Sequence, residues 1–313
     1  MKHSGMRQPG ARSRAAAPRR PLVIGAVIAT IALVIGVGLT TLSTTLNAPV
    51  VDAGTNAIGT VDTADFVPGT IISDYNFFNS DALTESGVQN FLEGRDCRPR
   101  DGSPCLWEYR ETTVTQEAVG AGHCARYEGE QRQRASAIIH EVAQACGVSP
   151  KVLLVLLQKE QSLLTTPNAS GYLRATGYAC PDTADCDTDY LGFFNQVYNA
   201  AWQFRQYTQQ PDRAYAIGTV PVGFFPDQAC GSTPVNITNQ ATANLYNYTP
   251  YQPSAGALAG NTDDGCATYG NLNFWKFYTQ WFGDPDTLGY PSFFDQCLNL
   301  VGGQPCRAAA LFE

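Results

Sequence analysis

The sequence predicts a mainly α-helical domain with long, disulfide-bonded loops, preceded by one N-terminal transmembrane helix. Three observations carry this reading. Apolar residues recur at helical spacing in several segments that have start and stop signals, while no stretch alternates long enough for a substantial sheet. All ten cysteines lie after residue 96. Residues 22–42 form an apolar run of 21 residues, about 31 Å as a helix, which matches a bilayer core.

Residues 1–20 carry Lys2, Arg7, Arg12, Arg14, Arg19 and Arg20 and no acid, and read as a cytoplasmic basic segment. Residues 21–43 are then either an uncleaved anchor or a long signal sequence cut after Ala53. The apolar run exceeds the 7–15 residues of a usual signal core, which favours a single-pass anchor with the remainder outside the cell. The alternative is secretion after cleavage. Residues 44–65, rich in Thr, Ala, Asn and Gly, read as a flexible stalk. Residues 66–130 form a disulfide-bonded subregion with a short helix capped by Thr84 and an irregular segment over 94–128.

Residues 131–282 hold the main helices. A helix over about 131–146, with Ile138, Ile139, Val142 and Ala145 on one face, stops at Gly147. Ser149 and Pro150 start the next, which runs to Leu164. Further helices are expected over 192–208, near 238–247 and 254–260, and over 271–282. Residues 209–236, with four prolines, read as loop. Residues 283–313 form a tail with Cys297 and Cys306 and no evident motif.

Even cysteine number and export point to disulfides. Short spacing pairs Cys97 with Cys105, Cys180 with Cys186, and Cys297 with Cys306, while Cys124–Cys146 and Cys230–Cys266 span more. Metal binding is the competing use, but there is no C-x-x-C, and His123 and His140 do not fall at zinc spacing. No metal or cofactor is expected. Without the six N-terminal cations, fourteen basic residues face 28 acidic ones, about −14, a field that repels nucleic acid and suits a neutral or locally cationic ligand such as a glycan.

The candidate site starts at Glu160. At about 100° per residue it shares a stripe with Leu153, Leu156, Leu157 and Leu164, while Gln158 and Lys159 fall on the flanks. A carboxyl among leucines finds a partner, stays protonated or faces a cleft. Two readings stay open: a structural ion pair, with Arg174 as candidate partner, and a general acid. A two-carboxylate hydrolase needs a second acid, for which Asp182, Asp185, Asp187 and Asp189 are candidates. Phe193, Phe194, Tyr246, Tyr248 and Tyr251 can stack on sugar rings, and Gln196 and Asn247 can hydrogen-bond acetamido groups. For Phe193 and the Phe274–Trp281 set, core packing is the better expectation.

Three patches follow in order: Gln158-Lys159-Glu160-Gln161-Ser162, Gly192-Phe193-Phe194-Asn195-Gln196, and Leu245-Tyr246-Asn247-Tyr248-Thr249-Pro250-Tyr251. In these the chain resembles the lysozyme-like superfamily, specifically lytic transglycosylases and goose-type lysozymes, over residues 131–282. Gly177 through Leu258 is also similar to a lysozyme-like module of secreted actinobacterial wall-associated proteins. The resemblance implies a lysozyme-like helical fold, peptidoglycan or a related glycan as partner, and Glu160 as catalytic acid. It matches Gly192 and Gln196 to a Gly-x-x-Gln element with one extra residue, and Tyr246-Asn247 to a Tyr-Asn pair. It further implies a route in which a single Glu serves as acid and then base while the muramyl 6-hydroxyl attacks. The chain departs from the pattern in having Gln161 directly after Glu160, and in the disulfide-bearing acidic insertion between Gly177 and Gly192.

Overall fold

Nine α-helices and two small two-stranded antiparallel sheets are present among the described residues of a computed structural model, which describes residues 61–288 apart from 182–184, 211 and 262. These residues fall within the compact unit Pro49–Glu313. The expected membrane span at 22–42 and the Cys297–Cys306 pair lie outside them. Among the described residues no helix is long and apolar enough to cross a membrane.

Helices α1 (Asp74–Phe78) and α2 (Glu85–Glu93) come first, and Thr84 caps α2 as its sequence suggests, its Oγ1 accepting from Gly87 N. Strand β1 (Arg110–Glu111) pairs with β2 (Gln133–Arg134), which opens directly into α3 (Ala135–Cys146). This pairing explains why α3 begins four residues later than its periodicity suggests: residues 133–134 are held in a ladder. Gly147 ends α3 at φ 62°, a left-handed turn that glycine adopts without a Cβ penalty.

Helix α4 (Pro150–Gln161) is the central element and packs against α3 and α9 (Gly270–Phe282). Ser149 and Pro150 start it as expected, with Ser149 Oγ accepting from Lys151 N. Val152 through Leu157 are all fully buried, each side chain contributing roughly 1.5–3 kcal/mol of apolar burial. The expected single apolar stripe with wet flanks is therefore corrected: this helix is buried all round until its last turn, where Glu160 emerges.

Helix α5 (Ala169–Leu173) and α6 (Phe193–Gln209) follow, then strands β3 (Gly218–Gly223) and β4 (Ser232–Ile237), α7 (Gln240–Tyr248), α8 (Ala255–Leu258) and α9. The β3–β4 hairpin corrects the loop expected over 209–236. Pro221 and Pro234 lie directly opposite each other in its register. Two prolines cannot exchange N–H···O bonds, so they suit a non-hydrogen-bonded pair, and the hairpin tolerates residues that argue against a strand in sequence.

Four disulfides form among the described residues: Cys97–Cys105, Cys124–Cys146, Cys180–Cys186 and Cys230–Cys266. These are the pairs expected from the sequence, two closing short loops and two spanning more. Phe193, Phe194, Phe274, Trp275, Phe277, Tyr278 and Trp281 all lie in the core. For Phe194 this replaces the sugar-stacking role that the sequence left open.

Candidate functional site

The last turn of α4 is fixed by its own side chains. Ser162 follows it at φ 53°, a left-handed conformation unfavourable for a residue with a Cβ. Gln158 compensates: its Oε1 accepts from Leu164 N at 3.2 Å and its Nε2 donates to Thr165 Oγ1 at 3.0 Å. The chain thus turns sharply away just after Glu160, whose side chain is 24% exposed.

Glu160 Oε1 accepts from the Lys159 ammonium, which also donates to Thr249 Oγ1 at 3.1 Å. The partner is the neighbouring lysine, not Arg174, which instead bonds Ser170 Oγ at 2.6 Å. Lys159, expected on a solvated flank, has a side chain only 6% exposed, because α4 has no solvated flank there. The other carboxylate oxygen, Oε2, lies 3.4 Å from where a Cβ on Gly177 would stand. Gly177 has φ 73°, so the left-handed turn calls for glycine here, while a Cβ would only reach ordinary contact with the carboxylate.

Gln196 explains how the Gly177 turn is held. It is fully buried on α6, and its Oε1 accepts from Thr176 N at 3.2 Å and Tyr178 N at 3.1 Å. Its Nε2 donates to Tyr178 O and Tyr190 O, both at 2.9 Å. Every polar atom of the amide is engaged by backbone. Where an acetamido contact was expected, the Gln196 amide is taken up by the backbone of the loop beside Glu160.

An open groove of about 400 Å³ is lined by Gly177, the residue beside Glu160 Oε2; Glu160 itself is not part of the lining. Tyr178, Tyr207, Tyr248 and Gln203 line it together with the 177–181 backbone. Tyr248 donates to Thr176 O at 2.8 Å and packs on Phe204. Burial first, then the nearby Glu160 charge, pushes its hydroxyl well above the ordinary tyrosine range, so it remains a neutral donor. Among the expected binding tyrosines Tyr248 lines this groove and the other two do not. Tyr246 is fully buried with its hydroxyl on Pro68 O, and Tyr251 bridges to Gly223 beside the hairpin. Asn247 donates to Tyr215 O at 2.7 Å and Ala243 O at 2.9 Å, a bracing role in place of the expected sugar contact.

The candidate second acids Asp185, Asp187 and Asp189 are exposed. Asp187 caps the short turn 188–190, accepting from Asp189 N at 3.1 Å. Asp182 lies outside the described residues. Glu111, on β1, is a carboxylate that sequence reading passed over. Its Oε2 accepts from Phe194 N at 2.9 Å, capping α6, where Gly192 supplies no side chain. Burial pushes this carboxyl up. Tyr178, Tyr207 and Thr249 were also missed. Tyr207 keeps the period of the core positions on α6, so spacing alone assigns it to the interior.

Among the described residues no cluster of three or more His, Cys, Asp or Glu could hold a metal ion. Residues 70–293, well over half of the chain, match the family model for the domain described as LasA, N-terminal domain. No match was found among curated proteins or solved structures. The chain therefore belongs to the LasA N-terminal domain family.

Proposed function

We propose that this protein is an extracytoplasmic enzyme that cleaves the glycan strands of peptidoglycan, on a lysozyme-like scaffold, with Glu160 as general acid and then base. The observation that carries the reading is the placement of Glu160. It stands at the open end of a helix otherwise buried all round, with one oxygen held by Lys159 and the other beside Gly177, a residue that lines a groove edged by three tyrosines. Tyrosine faces suit sugar rings, and a glycosidic oxygen entering the groove meets Oε2. Membership of the LasA N-terminal domain family supports a cell-wall-related role outside the cell. Attachment through residues 22–42 is part of the proposal.

Glu160 gives its proton to the leaving glycosidic oxygen as the C1–O bond breaks and positive charge develops on the sugar. With no second carboxylate assigned a catalytic role, the muramyl 6-hydroxyl attacks C1 and returns its proton to Glu160, leaving a 1,6-anhydro end. Digestion of purified peptidoglycan followed by mass spectrometry tests this. Anhydro-muramyl ends support the transglycosylase route, reducing ends replace it with hydrolysis, and intact glycan overturns the enzyme reading.

The second reading is a non-catalytic cell-wall or carbohydrate-binding protein, or an adhesin-like surface protein, on the same scaffold, in which the aromatic groove with Tyr248 holds the ligand. In that case the wild type binds peptidoglycan but releases no fragments, and Tyr248→Ala weakens that binding.

A further inference from the structure

Lys159 is nearly as buried as the core around it, an unusual place for an ammonium group. Three elements meet at its nitrogen. It donates to Glu160 Oε1 at the end of α4 and to Thr249 Oγ1 just after α7. It also lies 3.7 Å from where a Cβ on Gly270 would stand, at the first residue of α9. That same Cβ would meet Thr249 Cγ2 at 2.5 Å, so the missing side chain at Gly270 is what lets Thr249 close over Lys159. Neighbouring residues on a helix do not face each other. The Lys159–Glu160 contact is therefore built by the surrounding packing and is not given by helical spacing.

We propose that Lys159 is a positioning residue for Glu160, fixing Oε1 so that Oε2, beside Gly177, is the oxygen presented to the groove. The proposal rests on the reading of Glu160 as acid and base. The terminal torsion of a glutamate is broad and two-fold, so an untethered carboxylate exchanges its two oxygens and samples many tilts. Anchoring one oxygen to an ammonium, itself aimed by Thr249, removes that freedom before substrate arrives, which is where orientation contributes to rate. Thr249 thereby couples the end of α7 to the reacting carboxyl without touching substrate.

The test is steady-state cleavage of purified peptidoglycan by the full chain, with thermal melting in parallel. Lys159→Met should lower kcat by about 100-fold while KM stays within about twofold, the signature of lost orientation and not of lost binding. Thr249→Val should lower kcat in the same sense, and Thr249→Ser, which keeps the hydroxyl, should restore most of it. Wild-type kcat in Lys159→Met, or equal rates in the Val and Ser variants, overturns the proposal. If Lys159→Met does not fold, the two Thr249 variants decide. A wild-type chain that cleaves nothing overturns the enzyme reading and this proposal together, whereas an active wild type with an unaffected Lys159→Met overturns the positioning role alone.

Discussion

Asp74 is a buried carboxyl, 3% exposed, at the first residue of α1, and its Oδ1 accepts from Ala241 N at 2.7 Å at the start of α7. Burial raises it from 3.8 to about 6, with the backbone hydrogen bonds opposing that shift. Between these two values the folded chain holds a proton that the unfolded chain has released. The stability this group contributes is therefore complete below about pH 3.8 and is lost as pH rises through 6. A separation of just over two pH units corresponds to about 3 kcal/mol in all, of which about 2 kcal/mol falls between pH 4 and pH 7. Asp74→Asn removes the titration while keeping an oxygen for Ala241 N–H. Urea unfolding of both proteins at pH 4, 5, 6 and 7 gives the stability difference, mutant minus wild type. A constant offset reflects the altered hydrogen bonding, and the slope reflects the titration. The difference should climb by about 2 kcal/mol from pH 4 to pH 7. A flat difference, or one that falls with pH, refutes the reasoning.

Two further substitutions probe the same structure. Gly177→Ala forces a left-handed φ on an L-residue, costing about 1–2 kcal/mol, and sets a methyl against Glu160 Oε2. Melting should fall by a few degrees, and an unchanged melting temperature contradicts the strain assigned to this turn. Arg205 is fully buried on α6, its only hydrogen bond among the described contacts running from Nη2 to Gly122 O at 2.7 Å, and burial holds it down at about 10. Gln209 donates to the same carbonyl, so Arg205→Met leaves it satisfied. Removing a poorly paired buried cation should be neutral or stabilising, by up to about 4 kcal/mol in chemical denaturation, and a loss of 2 kcal/mol or more contradicts this.

The helices were legible where period and punctuation agree: α4 carries Ser149 and Pro150 at its start, and α3 carries Gly147 at its stop. The β3–β4 hairpin was not, because opposed prolines look like loop until the pairing is known. Glu160 stood out because a carboxyl among leucines is conspicuous, but its partner did not. Helical angle sends Lys159 to a solvated flank, and only the packing of α7 and α9 around α4 removes that flank. The motif residues Gln196, Tyr246 and Asn247 were noticed for their order, yet their polar groups brace backbone from distant segments. Sequence order carries no sign of whether a polar atom faces a loop or a ligand.

The central claim is that Glu160 transfers the proton that breaks a glycosidic bond. Its most direct test compares wild type with Glu160→Gln on purified peptidoglycan, scoring soluble muropeptides by mass spectrometry and binding by co-sedimentation. Wild type should release fragments, and Glu160→Gln should bind the same material with unchanged melting temperature and release none. Equal release by both proteins, or none by either, contradicts the account.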